Sequence, residues 1–292
     1  RKRSRPRTKD RPDYSNAPAA LVVSIDRGRY RCFLDNGTAV TATKARILGR
    51  KGVIVGDRVK LDGDVSGAAG SLARIVEVEG RRTWLRRSAD DMDTFERPIV
   101  ANADQLMIVT ALADPEPRTG MIDRILVAAY DAQVSPILCL TKADLASPDE
   151  LRTAYAPLAI PIVAIRPGSD LSPVKSLLEH HMTVLIGHSG VGKSTLVNAL
   201  VPGTGRATGA VSDVTGKGRH TSTSAAAIAL PDGGWIIDTP GVRSFGISHV
   251  RAEAFIGAFP DLEDIVTDCP RGCRHDSSAP ECALDEAVRS GK

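Results

Sequence analysis

The sequence has no apolar run approaching the roughly 20 residues that a membrane-spanning helix needs, so no membrane partner is expected. Its opening residues are basic and polar and contain no apolar core, so they do not have the form of a secretory signal. Residue 1 is Arg, and the natural start is expected to be missing or processed. No internal repeat appears, and no low-complexity block beyond the first residues. Cysteine is scarce, with five in 292 residues. Cys32 and Cys139 stand alone inside apolar patterns and read as small core residues. Cys269, Cys273 and Cys282 cluster around His275, which is metal arithmetic and no disulfide framework, and it suits a cytoplasmic protein.

The rest is ordinary in amount and informative in order. With 42% hydrophobic and 25% charged residues, the chain reads as a soluble globular protein of two or three domains. The net charge of +3 matters less than its distribution. Residues 1–12 carry Arg1, Lys2, Arg3, Arg5, Arg7, Lys9 and Arg11 against the single acid Asp10. Residues 1–19 are therefore expected to form a basic, disordered arm suited to nucleic acid. Arg81-Arg82 and Arg86-Arg87 extend the basic theme.

Residues 20–88 read as about five short strands separated by Gly/Asp turns, among them Asp35-Asn36-Gly37. A small closed barrel follows, with an OB-fold as leading candidate and an SH3-like barrel as the alternative; OB barrels often bind oligonucleotides. Ser88 to Asp91 reads as a linker. From residue 104 strands and helices alternate. Strands are expected at 105–110, 136–140, 160–165 and 183–186, with helices at 121–132, 148–155, 171–180 and from 195. A hairpin is expected around Pro231-Asp232-Gly233-Gly234. Such alternation means a parallel sheet with helices on both faces. The expected domains are an arm over 1–19, a barrel over 20–88, an α/β domain over 89–246 and a helical metal-binding module over 247–292.

The α/β part is organised around Gly187-His188-Ser189-Gly190-Val191-Gly192-Lys193-Ser194-Thr195, which fits the phosphate-loop pattern G-x-x-x-x-G-K-[ST] between a buried strand and a helix. Glycines let backbone N–H groups turn around phosphate oxygens, and the helix N-terminus adds its partial positive charge. Lys193 can reach the β- and γ-phosphates and Ser194 can ligate Mg²⁺. Asp238-Thr239-Pro240-Gly241 follows a strand. There Asp238 can hold Mg²⁺ through water, and the Gly241 N–H can meet a γ-phosphate. Thr141-Lys142-Ala143-Asp144 also sits at a strand end and is similar to the Asn-Lys-x-Asp base-reading motif of GTPases. The Asp144 carboxylate can accept from guanine N1–H and the 2-amino group, and the Lys142 stem can pack along the base. Thr141 stands where Asn is usual, which is expected to weaken a tether to the phosphate loop. The segment Thr215 to Thr223 is the place for a switch, where Thr221 or Thr223 can complete the Mg²⁺ shell. Val242 occupies the water-orienting position and is apolar, so His220 is the candidate to orient water.

The spacing C-x3-C-x-H-x6-C of Cys269, Cys273, His275 and Cys282 supplies a closed tetrahedral shell for one structural Zn²⁺. Helices are expected to flank it at 252–258 and 283–289.

The base-reading motif precedes the phosphate loop, and Asp238 follows it. That order suits a circularly permuted GTPase. From barrel to cysteine cluster, the motifs resemble the RsgA/YjeQ family of circularly permuted GTPases. Gly218-Arg219-His220-Thr221 and Asp238 to Gly246 are similar to its two switches. The resemblance implies a cytoplasmic GTP hydrolase that acts late in maturation of the small ribosomal subunit; no obvious dimer seam appears, so a monomer is expected. It implies binding to 16S rRNA through the barrel and zinc module, release on conversion of GTP to GDP, and catalysis through His220. Two other classes are weighed: a GTP-gated RNA-binding module with negligible turnover, and an ATP-using phosphotransferase, against which Asp144 argues.

Overall fold

The computed structural model describes residues 13–49, 52–88, 97–202, 225–239, 246–247, 250, 256, 259–275 and 279–291. The basic residues at 1–12 lie outside this set. The chain divides into two compact units, Arg1–Arg81 and Arg82–Lys292.

The first unit holds β1 (Ala19–Asp26), β2 (Arg29–Leu34), β3 (Ala39–Lys44), β4 (Arg58–Gly63) and β5 (Ala73–Val78). β1 and β2 join through Arg27-Gly28, both at positive φ (44° and 78°), the backbone hand that matches strand twist in a two-residue hairpin. β2 pairs with β3 antiparallel, β3 with β5 parallel, β5 with β4 antiparallel, and β4 returns to β1 antiparallel. The circuit 1-2-3-5-4-1 closes a five-stranded Greek-key barrel, the OB arrangement expected above. Alternate residues point inward, as period-two pleating requires: Ala20 and Val22, Val40 and Ala42, Val59 and Leu61, Ala73 and Ile75. Asp57 is fully buried. It accepts from Arg81 Nε and Nη2 at 2.7 and 2.9 Å and from the Ile54 N–H at 2.8 Å.

The second unit begins with an antiparallel pair that the sequence reading missed, β6 (Trp84–Arg87) and β7 (Arg97–Ala101). Leu85 and Val100, paired across it, are buried. Ser88, expected in a linker, is also buried, and its N–H and C=O exchange hydrogen bonds with Gly246. The main sheet contains β8 (Gln105–Ala111), β9 (Ser135–Thr141), β10 (Ile162–Ala164), β11 (Met182–Ile186), β12 (Ala226–Ala229) and β13 (Trp235–Asp238). Its order is β10-β9-β8-β11-β13-β12, parallel except for β12. β8 and β9 read as continuous apolar runs because both faces of a parallel sheet are covered. One face carries Met107, Val109, Leu185 and Ile236 under α3 (Ser172–Leu178) and α4 (Lys193–Leu200). The intervening Ile108 lies beside Ile122 and Ile125 of α1 (Thr119–Asp131). α2 (Asp149–Tyr155) is tied to α1 by the Tyr155 hydroxyl, which donates to Asp123 at 2.7 Å.

From β8 the chain builds outward through β9 and β10, crosses back to β11, and builds the other way. The crevice beyond the carboxyl ends of β8 and β11 is therefore the topological switch point, where open parallel sheets bind ligands. Two further helices, α5 (Pro260–Val266) and α6 (Ala283–Ser290), flank the cysteine cluster. α5 was missed in the sequence, and most of the helix expected at 252–258 falls outside the described residues.

Candidate nucleotide site and metal centre

The phosphate loop follows β11. Gly187 leaves the strand so close to β8 that a Cβ there would lie 2.4 Å from the Val109 carbonyl oxygen, so no other residue fits without displacing backbone. Gly192 has φ 87° and is the N-cap of α4, in the left-handed region that glycine enters without steric cost. Lys193, first residue of α4, is buried, an expensive place for an ammonium unless it is paired. Its Nζ lies 3.3 Å from the Asp238 carboxylate and donates to the Thr239 carbonyl. Asp238 is there because β11 and β13 pair with Leu185 opposite Asp238. The Thr239 hydroxyl locks that register by donating to the Leu185 carbonyl at 2.8 Å. Ser189, Gly190, Ser194 and Thr195 are exposed, and His188 places Nδ1 2.9 Å from the Ser189 carbonyl. A hydroxyl and a carboxylate at this crevice are the hard oxygen donors that Mg²⁺ takes, so Ser194 and Asp238 suit it.

The base-reading segment follows β9. Thr141 is buried, with Oγ1 2.5 Å from the Val191 carbonyl of the phosphate loop and 3.3 Å from the Thr110 carbonyl. The tether that Thr in place of Asn was expected to weaken is therefore present, made by a hydroxyl. Lys142, at φ 57°, donates to the Asp114 carbonyl. Asp144 is exposed. The Ala143 N–H donates to the Ile165 carbonyl at 3.1 Å, and the Ile165 N–H to Leu140 at 2.8 Å, so the segment after β10 lies against this loop.

In the cysteine cluster, the donor atoms of Cys269, Cys273, His275 and Cys282 all lie within 4.8 Å of one another. His275 Nδ1 is 3.6 Å from Cys269 Sγ and 3.7 Å from Cys282 Sγ. A tetrahedral zinc shell, with Zn–S about 2.3 Å and Zn–N about 2.0 Å, sets S···N separations of about 3.5 Å. The donor set thus fits zinc, with Nδ1 as the imidazole ligand. The contact with His275 pulls the Cys282 thiol down to about 7, toward the thiolate that binds metal. The Ala283 N–H donates to Cys269 Sγ at 3.3 Å, the outer-shell support that orients a ligand sulfur.

The model of the RsgA GTPase family matches residues 78–248, which contain every nucleotide motif described above. The chain is 40% identical over 249 residues to the small ribosomal subunit biogenesis GTPase RsgA of Azotobacter vinelandii, covering 82% of this chain and 70% of that protein. The chain belongs to the RsgA GTPase family. The protein of the same name from Pseudomonas aeruginosa is 40% identical over 221 residues, 73% of this chain, and the match spans 64% of its length. Among solved structures, YjeQ from Thermotoga maritima superposes with a TM-score of 0.70 at 28% identity, covering 94% of this chain and 92% of that one. YloQ, a circularly permuted GTPase, gives 0.67 at 22% identity, covering 97% and 91%, which speaks to the fold.

Against this family, the fold brings Thr141, Val191, Lys193 and Asp238 together at one sheet edge. His220, Thr221, Thr223, Gly241 and Val242 lie outside the described residues. Thr239 and Asp114 were missed as site residues. Both take part through backbone carbonyls, a role that no side-chain motif signals.

Proposed function

We propose that this chain hydrolyses GTP during late maturation of the small (30S) ribosomal subunit, binding subunit and 16S rRNA with GTP bound and leaving after conversion to GDP. The observation that carries the reading is the convergence of Lys193, Asp238 and the Thr141–Val191 link at the carboxyl edge of one permuted sheet. Loop N–H groups and Lys193 hold the phosphates, and Asp144 selects guanine. Lys193 leaves Asp238 and Thr239 for the phosphates, which takes its ammonium away from the Asp238 carboxylate. Ser194, Asp238 and either Thr221 or Thr223 would then hold Mg²⁺, which when bound neutralises charge on the β- and γ-oxygens. His220 orients the attacking water. The barrel and zinc module grip the subunit, and the chain works as a cytoplasmic monomer.

Val242 favours a second reading, a GTP-gated RNA-binding module with negligible turnover, since an apolar side chain cannot orient water. GTP hydrolysis measured with and without purified small subunits separates the two. The first reading requires stimulation by the subunit, and turnover that stays negligible with and without the subunit supports the second. His220→Ala is expected to keep GTP binding and to lose stimulated turnover by roughly 10²- to 10⁴-fold, the range of a general acid–base group. Unchanged turnover would remove His220 from catalysis.

A further inference from the structure

The loop after β9 and the turn after β10 are bonded to each other, because the Ala143 N–H donates to the Ile165 carbonyl at 3.1 Å. Asp144 and Arg166 each come next in the chain after that bonded pair, so both stand beyond the carboxyl ends of the paired strands β9 and β10. The turn reads Arg166-Pro167-Gly168-Ser169. Gly168 has φ 75°, the left-handed backbone that a type II turn needs at its third residue. The Ser169 N–H donates to the Arg166 carbonyl at 3.1 Å, and the Arg166 N–H to the Ser169 hydroxyl at 3.3 Å. Pro167 has no N–H. The turn therefore spends its backbone donors on itself, apart from the Gly168 N–H. Arg166 is exposed, and among the described residues its guanidinium has no partner.

Guanine asks for more than Asp144 can give. A carboxylate only accepts, so it can take N1–H and the 2-amino group and leaves the acceptors O6 and N7 unmet. Thr141 does not serve them, since its one hydroxyl proton goes to the Val191 carbonyl at 2.5 Å. The Gly168 N–H is one donor for two acceptors. Two parallel N–H groups of a guanidinium match O6 and N7 together. From this placement we infer that Arg166 is a specificity-determining residue of the proposed GTP site, its guanidinium donating to guanine O6 and N7 while Asp144 holds the opposite donors. The inference rests on the proposed use of this site for GTP, and it adds a second side chain to base selection.

The test titrates GTP, 7-deaza-GTP and inorganic tripolyphosphate directly by calorimetry. 7-Deaza-GTP lacks the N7 acceptor, and tripolyphosphate lacks the base. The wild type is expected to bind GTP about tenfold more tightly than 7-deaza-GTP, within the range of one bidentate base contact. Arg166→Met is expected to bind the two equally, to weaken GTP by about tenfold or more, and to leave tripolyphosphate and the melting temperature unchanged. Arg166→Lys keeps the charge without the fork and is expected to lose most of the N7 discrimination. Unchanged GTP affinity in Arg166→Met overturns the inference. So does an equal loss for GTP and tripolyphosphate, which would make Arg166 a general attractor of phosphate. An equal loss for GTP and 7-deaza-GTP, with the N7 preference kept, overturns it too, because Arg166 would then act through Asp144 and not on the base. A wild-type chain that binds no GTP sinks the proposed function itself, a result distinct from each of these.

Discussion

The metal centre and the nucleotide site are built in opposite ways. The four side chains that could hold a metal fall within 14 residues of sequence, and a short loop between α5 and α6 suffices to gather them. The candidate nucleotide site draws Thr141, Val191 and Asp238 from segments far apart in the chain, and only the order β9-β8-β11-β13 makes them neighbours. A local site can form or melt on its own. A site made by strand order stands or falls with the sheet.

This contrast can be broken in four places. The largest effect is expected at the metal centre. Cys282→Ser, or chelation, should reduce zinc content from one per chain to none. It should remove an energy on the order of 10 kcal/mol from the module's folding, so that α6 loses hydrogen-exchange protection while GTP affinity stays level. Retained protection in α6 would show that the module folds without its ion. Next comes Lys193→Ala, which removes the cation paired with the buried Asp238 carboxylate. A loss of about 3–5 kcal/mol in stability is expected, read by thermal melting, with GTP binding falling below detection and zinc content unmoved. Asp144→Asn, at an exposed position, should leave stability alone. It should weaken GTP by roughly 10- to 100-fold, the range for hydrogen bonds to a charged group, and shift preference to a xanthine nucleotide. Undiminished GTP affinity would take base reading away from this carboxylate. The smallest effect is expected from Gly187→Ala. The added methyl meets the Val109 carbonyl and must push β8 and β11 apart, for about 1–3 kcal/mol. A denaturation midpoint equal to that of the wild type would show the sheet edge to be more compliant than its packing implies.

Charge was the least legible feature. Arg81, Arg82 and Arg86 read in the sequence as a continuing basic surface. In the structure Arg81 pairs with buried Asp57, Arg82 lies 3.1 Å from Asp104, and Arg86 lies 3.5 Å from Asp131 with its guanidinium 5.1 Å from the Trp84 ring centroid. Sequence displays the sign of a charge and hides its partner, which here is 22 to 45 residues away. β6 and β7 were missed for a similar reason: four- and five-residue strands carry too little periodicity to show before they pair.

The sequence by itself determined the strand and helix alternation, the phosphate loop and the cysteine–histidine cluster that could hold a metal, because each is encoded over a few residues by apolar periodicity, glycine freedom or ligand spacing. The tertiary structure alone decided that the barrel closes as 1-2-3-5-4-1, that His275 turns Nδ1 toward Cys269 and Cys282, and that the Thr141 hydroxyl reaches the Val191 carbonyl. Each of these depends on which distant backbone lies alongside, and that is settled by strand register and core packing together.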